Sequence, residues 1–177
     1  MGGPRPGADP AFRADLARSA RLLRAFRTEQ ADPAGYYTAL AADTVESFRT
    51  QAEAADVTVS AETADNLPLV EADPARIRSV IGNLLSNAIR HTPAGGLVKV
   101  AASGSVHEVV VTVTDTGEGI APDLLPHVFE RFVKGASSTG SGLGLAIARD
   151  IVIAHGGKLE IQSAAGSRTV IRLTVLK

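Results

Sequence analysis

The sequence contains no cysteine, and this absence removes several kinds of chemistry. Disulfide bonds, thiol catalysis and thiolate metal sites are all excluded. Aromatic residues make up only 4% of the 177 residues, so any core must consist mainly of Leu, Val, Ile and Ala. Hydrophobic residues account for 45% of the chain, which is enough for the core of one ordinary domain.

The sequence also lacks an excess of charge of either sign and any long apolar run. A net charge of -1 offers no basic surface of the kind that nucleic acids or anionic membranes require. No apolar run approaches the ~20 residues of a membrane span, and no secretory signal opens the chain. We therefore expect a cytoplasmic chain that contacts neither nucleic acid nor membrane.

The first residues are predicted to stand apart from the main domain. Residues 1–10, "MGGPRPGADP", are rich in Gly and Pro and are expected to be disordered or a cloning scar. Residues 11–33 contain a predicted helix over 11–30. Its apolar residues recur at helical spacing and form a seam for another helix: Phe12, Leu16, Leu23 and Phe26. An amphipathic helix lying on its own domain would show the same pattern, so both interpretations stay open.

Residues 34–177 are predicted to form one α/β domain. Helices are expected at 34–55, 74–91, 122–133 and 142–155. Strands are expected at 57–62, 97–102, 106–115, 158–163 and 168–176, with a short strand within "NLPLVEAD" (66–73). Helices interleave with strands and the last two strands form a hairpin, which indicates a two-layer α/β sandwich with a mixed sheet.

The helix over 74–91 carries the most informative pattern. It has one broad apolar face, formed by Ile77, Val80, Ile81, Leu84, Leu85, Ala88 and Ile89. Asn83 and Asn87 lie one turn apart beside that face, although Asn is a poor helix former. They suit the wall of a ligand pocket, because Asn offers an oxygen to Mg²⁺ and an amide donor to phosphate. Arg90 can add charge to this wall. A solvated helix flank would show the same residues.

Two glycine clusters follow within a short distance. In "DTGEGI" (115–120), the carboxylate of Asp115 ends a strand and can accept a hydrogen bond from an exocyclic amine such as that of adenine. In "GSGLGLAI" (140–147), Gly142 and Gly144 open a helix, where free N–H groups favour phosphate. Residues 134–141 are expected to form a mobile lid over a ligand. A plain turn and an ordinary surface loop are the alternatives for the two clusters.

Together these segments resemble the ATP-binding domain of sensor histidine kinases, a member of the Bergerat-fold superfamily. "NLLSNAIRHTP" is similar to its asparagine box, "DTGEGI" and "GSGLGLAI" to its glycine boxes, and "LPHVFERFVKG" to its phenylalanine box. The resemblance covers about 35–177, with a looser match near Ala164, where a glycine is often found. It implies a sheet of about five strands with three helices on one face, plus the N-terminal helix.

The resemblance also assigns roles to residues, with ATP and Mg²⁺ as the ligands. Asp115 would bind the adenine amino group, and Asn87 would ligate Mg²⁺ with Asn83 beside it. Residues expected around the base and the nucleotide edge are Gly117, Gly119, Ile120 and His91. Residues expected at the phosphates are Arg90, Lys134, Gly142, Leu143, Gly144 and Leu145.

No catalytic side chain is assigned within this chain. Gyrases, heat-shock chaperones of the same fold and anti-sigma serine kinases resemble the pattern but carry Glu at the position of Asn83, where the carboxylate serves as a general base. Asn cannot accept a proton at neutral pH. The pocket is therefore expected to hold ATP without activating water.

The phosphoacceptor histidine of such a kinase is not apparent either. Three histidines fall within or beside the motifs, and His107 lies in a strand pattern rather than a helix. We expect a catalytic domain, excised from a longer kinase or half of a split one. It would donate the γ-phosphate to a histidine on a dimerisation domain, in cis or in trans, upstream of a response regulator. A nucleotide-binding regulatory or inactive module that acts through partner binding stays open as the alternative.

Overall fold

The computed structural model of the chain describes residues 33–64, 67–68, 70, 72–135 and 140–177. Within these residues the helices are α1 (Pro33–Ser47), α2 (Arg49–Ala54), α3 (Pro74–His91) and α4 (Gly144–Ala154). The strands are β1 (Thr58–Thr63), β2 (Leu97–Gly104), β3 (Glu108–Asp115), β4 (Lys158–Ser163) and β5 (Thr169–Leu176). The expected segment 1–10 and the expected helix over 11–30, with its apolar seam, lie outside the described residues.

The strands form one five-stranded mixed sheet in the order β1-β2-β3-β5-β4. β1 and β2 are parallel, and every other neighbouring pair is antiparallel. One row of directly paired residues crosses all strands and joins Val59, Val98, Asp115, Thr169 and Ser163. Residues paired in this way point to the same face of a sheet.

The core lies between one face of the sheet and the helices. β3 alternates between buried and half-buried residues, so that Val109, Val111 and Val113 face inward. α3 buries the seven apolar residues that its periodicity predicts: Ile77, Val80, Ile81, Leu84, Leu85, Ala88 and Ile89. Each large side chain buried there contributes about 1.5–3 kcal/mol. The predicted fold class, a two-layer sandwich with a mixed sheet, is confirmed.

The start of α3 is also confirmed at the level of single hydrogen bonds. Asp73 Oδ1 accepts hydrogen bonds from the backbone N–H groups of Ala75, at 2.9 Å, and Arg76, at 3.2 Å. Pro74 occupies the first turn, where its missing N–H costs nothing. This cap stabilises the helix by about 1 kcal/mol and fixes where its polar flank begins.

One predicted helix is wrong, one is divided, and one predicted strand is not found among the described residues. The helix predicted over 122–133 is only a 3₁₀ turn, Leu125–His127, because Pro126 interrupts it and Phe132 adopts a left-handed φ of 68°. The short strand predicted within 66–73 is missing from the described residues of that segment. The first predicted helix is broken at Phe48, whose N–H bonds Val45 O three residues back, at 3.0 Å.

Smaller differences concern boundaries. α4 begins at Gly144 rather than at residue 142, and β3 begins at Glu108 rather than at residue 106. Among the helices that the structure describes, none combines the length and apolar character needed to cross a bilayer. Of the predicted lid, residues 136–139 lie outside the described part of the chain.

Candidate functional site

A cavity of about 500 Å³ opens between the last turns of α3, the loop after β3, the start of α4 and the β4–β5 hairpin. This volume suits a small-molecule ligand. It is lined by all the predicted site residues except two: Asn83, Asn87, Arg90, His91, Asp115, Gly119, Ile120, Lys134, Gly142, Gly144 and Leu145. The exceptions, Gly117 and Leu143, are immediate neighbours of lining residues. The fold thus brings together motifs that are distant in sequence.

One wall of the cavity is the polar flank of α3. Asn83 and Asn87 both line it, one turn apart. The Arg90 guanidinium donates a hydrogen bond from Nη1 to the Asn87 Oδ1 atom, at 3.4 Å. This long bond engages one lone pair of the Asn87 amide oxygen and leaves the second for another donor or a cation.

The opposite end of the cavity is formed by Asp115, the last residue of β3. Its side chain is buried, with 6% of the residue exposed. Burial raises the pKa of the Asp115 carboxyl above its ordinary value. Hydrogen bonds from the backbone amides of Gly117 and Thr169, and the charge of His91, partly offset this rise in pKa. One of these bonds joins Gly117 N to Asp115 Oδ1 at 2.9 Å.

Backbone hydrogen bonds of Glu118 join the loop after Asp115 to the end of α3 and to the β4–β5 turn. The Glu118 N–H donates to His91 O, at 3.3 Å, and its carbonyl accepts from Gly166 N, at 2.7 Å. Its carboxylate also contacts the His91 ring, with 3.2 Å between Oε1 and Nδ1. Gly119 has a φ of 71°, and a Cβ there would collide with the carbonyl of Ala164. Glycine is therefore required where the loop meets the β4–β5 turn.

Several polar residues in or beside the cavity were not among the predicted site residues, among them Ser86 and Ser141 in its lining. Glu118 and Thr169 line the cavity, and Ser163 lies directly behind Thr169. The signal for Thr169 was a polar residue at an inward position of β5, where the alternate residues Ile171, Leu173 and Val175 are all buried. No comparable local signal marked Ser163, because its place depends on strand pairing.

The residues just before α4 form the end of the cavity where the sequence predicts contacts with phosphate. Gly142 has a φ of 71°, and its carbonyl accepts a hydrogen bond from Phe132 N, at 2.8 Å. A Cβ on Gly142 would lie 2.8 Å from the backbone of Phe132. The two segments are therefore packed backbone to backbone. Lys134 reaches the cavity from the first of these segments, beside the N-terminus of α4.

Within the described residues, no group of three or more His, Cys, Asp or Glu side chains could hold a metal ion. A cation at this site would instead depend on the Asn87 amide oxygen, oxygens of a ligand and water. Mg²⁺ suits such a site, because it keeps several waters and binds mainly through phosphate oxygens.

The chain matches the model of a protein family described as histidine kinase-, DNA gyrase B-, and HSP90-like ATPase, over residues 72–177. It is 34% identical over 139 residues to the sensor histidine kinase RppB of Synechocystis sp., a match that covers 76% of this chain and 31% of RppB. The chain spans about a third or less of the length of the curated relatives it matches.

Two solved structures resemble the fold closely. Full-length ShkA in complex with AMPPNP gives a TM-score of 0.71 at 30% identity, covering 83% of this chain and 30% of that chain. The catalytic domain of histidine kinase ThkA gives a TM-score of 0.71 at 29% identity, covering 80% of this chain and 94% of that chain.

Proposed function

We propose, from the premise that this chain belongs to the histidine kinase-, DNA gyrase B-, and HSP90-like ATPase family, that it binds Mg²⁺–ATP as the catalytic domain of a sensor histidine kinase. In this role it would donate the γ-phosphate to a histidine on a separate dimerisation domain. The observation that carries the proposal is the single cavity that joins a buried carboxylate, an amide wall and a glycine-rich helix start.

The adenine end of the pocket is assigned to Asp115. Its carboxylate accepts hydrogen bonds, so it suits the exocyclic amine of adenine. Gly117 and Gly119 shape the loop beside it, and apolar side chains of Ile120 and Ile171 line the same cavity. A flat base fits between such a carboxylate and such apolar walls.

The phosphate end is assigned to the α3 flank and the start of α4. Arg90 and Lys134 bring positive charge into the cavity. The first free N–H groups of α4, preceded by Gly142, favour anions at the same place. Asn87 would supply one protein oxygen to Mg²⁺, and bound Mg²⁺ would neutralise charge on the phosphates. The ShkA structure, which carries AMPPNP, supports nucleotide as the ligand class.

The relatives, and the lack of a general base at Asn83, support the activity that we propose for the whole protein. Asn83 presents an amide where a general base would need a carboxylate. Phosphoryl transfer depends mainly on positioning and on charge stabilisation, so the pocket can serve an incoming histidine. The acceptor would belong to a dimerisation domain, in cis or in trans, with a response regulator downstream and a cytoplasmic setting.

The test combines binding with transfer. Calorimetry should show Mg²⁺–ATP binding by the 177-residue chain. Asn87→Ala should weaken binding at millimolar Mg²⁺ by about tenfold and should lose most of the Mg²⁺ dependence. Gln162→Ala, an exposed amide on β4 outside the cavity, serves as the matched control. If the affinity and its Mg²⁺ dependence are unchanged in the Asn87→Ala variant, Asn87 is not a ligand of Mg²⁺.

Transfer is measured with labelled ATP, using this chain, a two-helix acceptor domain of a related kinase, and both together. We expect acid-labile label on the acceptor only in the mixture, and slow ATP hydrolysis by the chain alone. Acid-labile label on this chain alone, lost in a His107→Gln variant, would contradict the separate acceptor. Binding of ATP without transfer in the mixture would favour a regulatory module.

A further inference from the structure

We propose that His155 is a positioning residue. Its ring joins the C-terminus of α4 to the N-terminus of α3, and this connection fixes how the two helices lie against each other where they form the phosphate end of the cavity. The inference rests on the proposed function, because a nucleotide is the ligand that contacts both helices. His155 itself lies outside the cavity lining.

Both ring nitrogens of His155 make hydrogen bonds. Nδ1 lies 2.7 Å from the carbonyl oxygen of Ile151, one turn earlier in α4. Nε2 lies 3.2 Å from the backbone nitrogen of Asp73, the residue that caps α3. We call these two bonds the His155 bridge. The bridge connects the ends of two helices whose residues are far apart in sequence.

The partners of the His155 bridge determine the state of the ring. A carbonyl oxygen can only accept, so Nδ1 carries a hydrogen. A backbone N–H can only donate, so Nε2 carries none and accepts. The bridge therefore requires the neutral ring that is protonated on Nδ1. Neither backbone partner can reverse its role, so no other state of the ring makes both bonds.

The two helices run antiparallel, with the His155 bridge at one end and the cavity at the other. α3 packs against α4. Near the end of α3, Asn87 lines the cavity, and so does Gly144 at the start of α4. At 1.5 Å per residue, the 11 residues of α4 place Gly144 about 16 Å from the bridge.

A hydrogen bond adds a fixed point that the other contacts of α4 do not supply. The residues that α4 buries are apolar: Ala146, Ala148, Ile151 and Val152. Apolar contacts are not directional, so they oppose the sliding of one helix along the other less than a hydrogen bond does. Such sliding would shift the Asn87 amide relative to the first N–H groups of α4.

ADP and adenosine differ in how they would use these helices. In the assignment proposed above, the base contacts Asp115 and the loop after β3, whereas the phosphates contact both the flank of α3 and the start of α4. Loss of the His155 bridge should therefore weaken the binding of ADP more than that of adenosine. The difference cannot exceed the free energy of the bond that is lost, so its ceiling is about tenfold.

The experiment uses the isotope-labelled 177-residue chain at about pH 8, where histidine side chains are ordinarily neutral. NMR of the imidazole nitrogens should show His155 protonated on Nδ1. Calorimetry measures the affinity for ADP, and NMR titration measures the affinity for adenosine. The variants are compared by the ratio of these two affinities.

His155→Asn keeps a donor near the place of Nδ1 but has no acceptor at the place of Nε2. It should speed hydrogen exchange at the Asp73 amide and lower the affinity ratio by about threefold to tenfold. His155→Gln, whose amide oxygen can accept from the Asp73 N–H, should keep a ratio closer to that of the wild type. His107→Asn, at an exposed histidine outside the cavity, is the matched control.

The ratio separates positioning from folding, since a general loss of structure weakens both ligands alike. A wild-type His155 ring protonated on Nε2 would contradict the bridge and overturn the proposal. A wild-type ratio in His155→Asn, despite faster exchange at the Asp73 amide, would show that the bridge does not position the cavity, which also overturns it. Both outcomes leave the proposed function intact, whereas a wild-type chain that binds no ADP would refute the proposed function and this inference with it.

Discussion

Asp115 is a carboxylate whose burial opposes its ionisation. The ionised form destabilises the folded protein but favours the binding of an amine donor. Because burial raises its pKa in the folded protein, the fold favours the neutral carboxyl. The ionised form therefore lowers the free energy of unfolding above the raised pKa. This cost disappears as the pH falls below the ordinary pKa of an unfolded Asp, about 3.9. Binding of an amine donor is strongest with the ionised form, which offers two charged acceptor oxygens.

The first prediction separates these two effects with Asp115→Asn. The variant is neutral at every pH, but it keeps only one oxygen for the backbone amides of Gly117 and Thr169 that bond the carboxylate. These two effects oppose each other, so its melting temperature at pH 7 should stay close to that of the wild type. Its affinity for ADP should fall by about tenfold or more, the value of a hydrogen bond to a charged acceptor. Calorimetry and thermal unfolding measure both. Asp123→Asn, an exposed carboxyl outside the cavity, should change neither.

The second prediction concerns pH. Wild-type affinity for ADP should decline as the pH falls through the raised pKa of Asp115, at a higher pH than for an ordinary Asp. Titration of the ADP phosphates also affects binding, so the informative quantity is the difference between the wild type and Asp115→Asn. If the two pH profiles run parallel throughout, the carboxylate does not bind the ligand in its ionised form.

The residues of the site were only partly predictable from sequence. Short sequence motifs predicted Asn83, Asn87, Asp115 and the glycines. Such motifs are informative because each lies within or at the end of one helix or strand, so its position does not depend on distant residues. Thr169 lies beside Asp115, and Ser163 beside Thr169, because β5 pairs with both β3 and β4. That register depends on residues far apart in the chain, so no short window of sequence reveals it.

At the scale of elements, the start of α4 depends on the segment packed against it. Phe132 N bonds Gly142 O, the Arg131 guanidinium lies 3.1 Å from the Asp150 carboxylate, and the Arg149 guanidinium lies over the Phe129 ring. These contacts explain why the predicted helix over 122–133 was wrong. Its apolar spacing suits a helix, but Pro126 interrupts it, and the Phe132 N–H bonds the Gly142 carbonyl instead of one within a helix. By contrast, α3 begins at a side-chain cap and carries a continuous buried apolar face.

The third prediction tests this packing with two glycines. Gly142→Ala should destabilise the nucleotide-free chain by about 1–2 kcal/mol or more, because a left-handed residue acquires a Cβ and that Cβ meets the Phe132 backbone. Gly144→Ala is the matched control, since a Cβ there meets no atom within 4 Å. It should stay within about 0.5 kcal/mol of the wild type. Urea unfolding measures both, and equal stability of the two variants would contradict the backbone packing described for Gly142.

At the scale of the whole molecule, the cavity is enclosed by both layers of the sandwich. Its lining comes from α3, β3, α4, β4 and β5, together with the loops between them. A ligand held there contacts elements from most of the described fold. The free energy of ligand binding therefore raises the free energy of unfolding of the whole domain, and not only that of one element.

The fourth prediction follows from this linkage. ADP at 100 times its dissociation constant should raise the free energy of unfolding by about 2.7 kcal/mol. Thermal unfolding at increasing ADP concentration should show a steadily rising midpoint, and Asp115→Asn should need a correspondingly higher concentration. A midpoint that does not move, despite binding seen by calorimetry, would place the ligand outside the folded cavity or show equal binding to the unfolded chain.

The paired row through Asp115, Thr169 and Ser163 also has a consequence for synthesis on the ribosome. β5 is the last described strand to leave the ribosome, yet it occupies an interior place in the sheet, between β3 and β4. Until β5 is made, β3 is therefore an edge strand, and Asp115 lacks its paired neighbour Thr169. Thr169 and Ile171 of β5 line the cavity, so the cavity is incomplete until this strand has paired with β3. In a growing chain, the ability to bind ATP would mark the completion of the sheet.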